Sequence, residues 1–344
     1  MSQKSPIAKG KIILLLISLV FCFLASISVG SVYIPFGELI DTLLGTSDNI
    51  AWQQIIWQYR LPKALSALFA GSALAISGLL MQTLFRNPLA GPYVLGISSG
   101  ASLGVALLVM AGSMIGFGAT QISNAWAPAL AASIGAFLVL LLVVLIAGRV
   151  KDSATLLIIG LMFGSATGAI VSLLSYISEA KDLQAYVIWT LGSLGAISYP
   201  QLLIIIIAFL IGISLAFSQV KALNAMHLGE NYSQSLGISI KQFRLIVILA
   251  TSILAGTITA FCGPIAFIGI AVPHLTRLFI PTSDHRLSIL LCGIVGASLL
   301  LGCDVISQLP GSDYTLPINA VTSLFGAPVV IWLILNKKSS RVQV

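Results

Sequence analysis

Long apolar runs alternate along this chain with short polar interruptions rich in proline, glycine and basic residues. Cutting at those interruptions leaves ten apolar blocks, near residues 12–34, 61–83, 93–111, 125–148, 154–178, 200–219, 243–263, 264–280, 287–308 and 317–335. Most reach the length of about 18 apolar residues that marks a bilayer-crossing helix. The blocks at 93–111 and 264–280 are short, and Gly263-Pro264 is the least marked boundary. A further stretch, "DLQAYVIWTLG" (182–192), predicts a helix lying in or near the membrane interface rather than crossing it. The pattern therefore predicts an all-α polytopic membrane protein with ten transmembrane helices, residues 1–344 forming one membrane domain.

The interruptions also assign sides. With the N-terminus inside, the inner loops and ends hold Lys4, Lys9, Lys11, Arg86, Arg149, Lys151, Lys221, Lys241, Arg244, Arg277, Arg286, Lys337, Lys338 and Arg341. The outer loops hold only Arg60, Lys63 and Lys181. Excess Lys and Arg mark cytoplasmic loops, and the partition requires an even number of spans with both termini inside. "FRNPLAGP" (85–92) is then a cytoplasmic turn between the second and third spans, its prolines ending the helices and Gly91 permitting a tight reversal. The apolar run after "MSQKSPIAKGK" is long for a signal peptide and lacks an A-x-A-like cleavage pair, so it reads as a retained first span.

Composition agrees: 58% of residues are hydrophobic and 8% charged, where a soluble domain carries about 25% charged residues. The net charge of +7 is scattered one or two residues per loop, a topology signal rather than a nucleic-acid stripe. Cys22, Cys262, Cys292 and Cys303 lie in or beside apolar runs and have no metal-ligand spacing. No metal site is expected. Two glycine stripes recur every four residues, Gly96, Gly100 and Gly104 in one block and Gly160, Gly164 and Gly168 in another. Such stripes let neighbouring backbones approach closely, or line a dimer seam or substrate path.

Almost no ionisable residue falls mid-membrane; Asp304, toward the outer end of the ninth block, comes nearest. An ion-coupled secondary transporter, the rival reading, would need buried acids or histidines at the midplane. The chain also lacks a G-x-x-x-x-G-K-[ST] phosphate loop, so uphill transport would draw its energy from a partner. The longest inner loop (220–244) is polar yet carries Met226, Leu228, Leu236 and Ile238, broken by Gly229 and Gly237. Such a segment can form small helices that seat against another protein.

"RLPKALSALFAGSALAISGLLMQTLFRNPLAGPYVLGISSGASLG" (60–104) resembles the FecCD family of ABC importer permeases for iron-siderophores, haem and cobalamin. "GPIAFIGIAVPHLTRLF" (263–279) with "DHR" (284–286), "LGENYSQSLG" (228–237) and "GAPVVIWLIL" (326–335) extend the likeness, in order, over roughly residues 12–336. The resemblance implies a type II ABC importer permease fold with spans two to five and seven to ten as an inverted repeat. It implies a pair of permease copies, two ATP-binding subunits below and a periplasmic or lipid-anchored substrate-binding protein outside, in the bacterial cytoplasmic membrane. ATP and Mg would sit on the partner, so this chain would be neither an enzyme nor a cofactor binder. Iron-siderophore is the expected cargo, with haem or cobalamin as alternatives.

Residue roles follow from the same likeness. Leu228, Gly229, Glu230, Leu236 and Gly237, within the segment 220–242, match the portion that couples to the ATPase; Glu230 would face a basic surface or an open helix N-terminus. Arg60 and Lys63 match an R-x-P-R pair that grips acids on the binding protein, Lys63 lacking the bidentate geometry of arginine. Ser153, Ala154 and Thr155 match a cytoplasmic gate between the fourth and fifth spans, and His274 and Arg277 would brace cytoplasmic helix ends.

Overall fold

The computed structural model describes residues 6–30, 32, 34–47, 49–112, 126–147, 150, 153–308 and 314–335. All regular structure among them is helical. Seven helices are long and apolar enough to cross a membrane, and three shorter apolar ones (97–111, 268–279 and 318–332) fall where the third, eighth and tenth blocks were expected.

Helix α1 (Pro6–Ser28) ends earlier than its apolar block, and the chain then forms α2 (Phe36–Leu44), closed by Gly45 in left-handed conformation. Helix α3 (Ile50–Gln54) starts where the Asn49 side chain accepts from the Ala51 and Trp52 amides. It passes through a π-turn (Ile55–Arg60) into α4 (Leu61–Phe85), so the second span is a continuous helix from residue 50 to 85. This corrects the boundary expected at Arg60: that arginine lies within the helix, not in the loop before it.

Helix α4 is the hub. Its buried face carries Gly71 and Gly78, and a methyl on either would strike a neighbouring backbone, 2.2 Å from the Gly296 carbonyl oxygen and 1.7 Å from that of Gly269. The partners belong to α14 (His285–Ser307) and α13 (Ile268–Phe279). Helix α12 (Ile240–Cys262) packs in the reciprocal way, against α5 (Ile97–Ala106) and α6 (Trp126–Ala147). Each half's leading span therefore seats on the second and third spans of the other half, the exchange that an inverted repeat produces.

Entry into the second span of each half is also alike. Gly96, with φ 78°, precedes α5, and Phe267, with φ 66°, precedes α13; each follows a Gly-Pro pair. The fifth, sixth and tenth spans are α7 (Ser153–Ile177), α9 (Tyr199–Ser218) and α15 (Ile318–Leu335). Between α7 and α9 lies α8 (Ala180–Thr190), too short to cross at about 1.5 Å per residue. The residues that follow it dock inside the bundle: the Ser193 amide donates to the Cys262 carbonyl at 2.8 Å, and the Asn319 amide to that of Leu191 at 3.2 Å.

The glycine stripes divide. Gly100 faces the Gly135 carbonyl oxygen at 2.5 Å from an added methyl, Gly104 that of Ala131 at 2.1 Å, and Gly160 that of Val94 at 2.3 Å. Gly96 adjoins Gly160 at 3.3 Å. Gly164 meets only the Ser99 hydroxyl, at 3.4 Å, and Gly168 has open space. Packing thus accounts for the first stripe and for the start of the second. The Gly164 amide nitrogen lies 3.7 Å from a methyl built on Gly96, while Gly168 meets no group of its own chain, which leaves the dimer-seam or substrate-path expectation open there.

Candidate coupling site

Helix α10 (Val220–Met226) and α11 (Glu230–Ser235) form the segment between the sixth and seventh spans. Gly229 joins them at φ 119° and ψ 151°, a conformation open only to glycine, and Gly237, at φ 83°, ends the second piece. These two glycines shape the backbone. The segment's outward surface displays large apolar side chains among polar ones: Leu228 is 68% exposed, Leu236 58% and Tyr232 49%.

Its inward surface is tied by polar contacts to three helix ends. The first runs to α4, where Arg86 takes a left-handed φ of 48° and donates from Nη2 to the Met226 carbonyl at 3.0 Å. The second runs to α14: Asn224 Oδ1 accepts from the His285 amide and lies 2.8 Å from His285 Nδ1, while Asn224 Nδ2 donates to Asp284 Oδ1 at 3.3 Å. Asp284 is itself the N-cap, accepting from the Arg286 amide. The third runs to α12, where buried Arg244 pairs with Glu230 through Nη2 and donates from Nη1 to the Val150 carbonyl at 3.3 Å. Glu230 therefore faces a cation of its own chain, with 30% of its side chain left exposed. Arg244 holds it because the short α11 turns its first residue back toward the start of α12.

Electrostatics at this end favour a neutral His227. Its ring lies 4.6 Å from that of His285. Burial, then the charges of Arg277 and Arg86, hold its pKa below the usual imidazole value. Half-buried Arg277 thus adds positive potential beneath the segment, and His274 Nε2 contacts the Pro88 carbonyl at 2.7 Å, joining α13 to the turn after α4. Lys11 donates to the Phe279 carbonyl at 2.8 Å at the same end of the molecule. Ser153 opens α7, and Ala154 and Thr155 are exposed in its first turn. Residues 151–152 of the expected gate loop lie outside the described residues.

The opposite end carries a different polar knot. Arg60 is 7% exposed and donates to the carbonyls of Ile27 at 2.9 Å, Ser28 at 2.7 Å and Val32. Lys63 Nζ lies 2.9 Å from Oδ1 of the buried Asp304, whose Oδ2 accepts from Ser26 at 2.8 Å and Gln308 at 3.0 Å. In the lone chain both bases expected to dock the binding protein are thus engaged internally. The early end of α1 leaves carbonyls that only Arg60 reaches, and Asp304, buried in α14, needs Lys63 for compensation. Sequence reasoning missed Asn224, His285 and Arg244 as a set, since each sits in a different loop or helix end and no spacing links them.

The FecCD transport family model matches residues 17–336. Among curated proteins, the chain is 37% identical to the vitamin B12 import system permease protein BtuC of Klebsiella pneumoniae, over 96% of this chain and 93% of that protein. It is 36% identical to the hemin transport system permease protein HmuU of Yersinia pestis, over 95% and 96% of the two chains. A solved structure described as an inward-facing conformation of a metal-chelate type ABC transporter superposes with TM-score 0.79 and 30% identity, covering 94% of this chain and 98% of that one. PsaBC from Streptococcus pneumoniae shares the fold at TM-score 0.53 and 14% identity, over 86% and 94%.

Proposed function

Because the chain belongs to the FecCD transport family, we propose that it is the membrane-spanning subunit of an ATP-driven importer that carries a large metal chelate inward. Two copies form the pathway, two separate ATP-binding subunits with their ATP and Mg engage the cytoplasmic ends, and a substrate-binding protein delivers cargo outside. The complex sits in the bacterial cytoplasmic membrane with both termini inside, as the Lys and Arg distribution supports. Vitamin B12 and hemin, named for the two curated relatives, stand beside iron-siderophore as cargoes to compare.

One observation carries the reading: exposed Leu228, Tyr232 and Leu236 sit on a segment anchored to the ends of α4, α12 and α14. Apolar side chains displayed in this way fit a groove on a partner, and the anchors pass the partner's movement to the spans. Access then alternates as the bundle shifts between two packings. Ala154 and Thr155, exposed at the start of α7, suit a gate whose small side chains seal against the second copy and slide apart.

Burying one leucine is worth about 1.5–3 kcal/mol, so Leu228→Asp with Leu236→Asp should weaken ATPase association by about 100-fold or more and abolish uptake. The assay uses vesicles reconstituted with the ATPase and binding protein and compares the three chelates. Full uptake by the double variant refutes the coupling role. Uptake that ignores ATP and collapses with an ionophore would instead favour an ion-coupled carrier.

A further inference from the structure

The hydrogen bonds around Asn224 fix a chemical detail. A backbone N–H can only donate, so the Asn224 atom that meets the His285 amide at 2.8 Å is the carbonyl oxygen. The same oxygen lies 2.8 Å from His285 Nδ1, which must then carry a proton to bond it. Nε2 of the neutral ring is left as an acceptor, 3.0 Å from the Thr83 hydroxyl in the last turn of α4, whose one proton is shared between it and the Leu79 carbonyl at 2.9 Å. One imidazole therefore joins α10, the first residue of α14 and the end of α4, and it is 2% exposed. Helices α4 and α14 meet through Gly71 and Gly296, backbone on backbone, higher in the bundle. Anything that shifts α10 meets these two spans as one body.

We propose that Asn224 and His285 form the latch that transmits displacement of the coupling segment to the α4–α14 pair. They act as positioning residues, through the bond between Asn224 Oδ1 and His285 Nδ1–H. The inference rests on the importer reading and deepens it by naming the spans that are driven and the bond that drives them. Arg86 and the Glu230–Arg244 pair hold the segment at its other two anchors. Asn224 hydrogen-bonds both the first residue of α14 and its N-cap, and the His227 ring lies beside that of His285.

The test counts cargo imported per ATP hydrolysed, in vesicles holding the permease, its ATPase and its binding protein. Asn224→Ala should lower that ratio about tenfold, the size of a typical coupling between sites. The ATPase should still co-purify, because Leu228, Tyr232 and Leu236 are untouched. A paired substitution separates transmission from simple folding. The amide nitrogen of His285→Asn overlays Nδ1 and keeps the bond to Asn224, so coupling is retained. That of His285→Gln overlays Nε2 and loses the bond, so coupling falls as in Asn224→Ala. This pair gives the answer even where Asn224→Ala does not reach the membrane. Wild-type ratios in both Asn224→Ala and His285→Gln, or equal losses in the two His285 variants, overturn the latch while leaving the importer reading intact. A wild-type complex that imports nothing with ATP overturns the importer reading, and the latch with it.

Discussion

Arg60 shows how one side chain can look poised for a partner and be fully engaged within its own chain. It covers the Ile27 and Ser28 carbonyls at the end of α1 and that of Val32 just beyond it. Removing a partner from buried carbonyls costs about 1–3 kcal/mol for each group left bare. Arg60→Ala should therefore lower the melting temperature of the detergent-purified protein by several degrees, while the surviving folded protein keeps its affinity for the binding protein. A normal melting curve with lost docking would restore the grip role. His227 supports a second prediction at this scale. Its pKa is lowered in the folded protein, so its contribution to stability is complete above the ordinary imidazole value of about 6.5 and is lost as pH falls through that value toward the folded one. Melting temperatures at pH 7.5 and 5.5 should diverge more in the wild type than in His227→Gln.

At the scale of elements, glycine contacts decide which helices are welded and which are free. Leucine at Gly71 or Gly78 would meet backbone that cannot yield, so membrane yield should collapse. Gly168→Leu faces open space and should change stability by less than about 0.5 kcal/mol. Thermal unfolding of the three variants in detergent would rank them. The Gly96–Gly104 stripe was legible because three glycines at spacing four announce a smooth helix face. Gly71 and Gly78, seven apart, give a weaker signal, and their partners Gly296 and Gly269 are distant in sequence. The ten blocks were readable because lipid demands long apolar helices, whatever their tertiary partners. The early end of α1 was not, because Gly30 and Ser31 interrupt the apolar run only briefly before Val32, Tyr33 and Ile34 resume it.

For the whole molecule, the described contacts gather residues expected inside at one end and residues expected outside at the other. Lys11, Arg86, Asn224, Arg244, Arg277 and His285 gather at one end, and Ser26, Arg60, Lys63 and Asp304 at the other. Single cysteines placed at Leu228 and Leu236 should react with a membrane-impermeant maleimide only in inside-out vesicles; labelling in right-side-out vesicles would reverse the topology. The coupling motif was visible in sequence, but its mechanical connections were not, since they join residues up to 140 positions apart.

The engagement of Arg60 and Lys63 changes what a solute meets as it nears the mouth. The outer segments hold Glu38, Asp41, Asp48, Glu179, Asp182, Asp304 and Asp313 against three bases. Of those bases Arg60 is enclosed, Lys63 is matched by Asp304 and Lys181 by Glu179. The segments expected outside therefore carry a net negative charge, which an anionic cargo would have to approach. A binding protein that envelops such a cargo, as proposed above, would hide its charge from these acids until the two proteins touch.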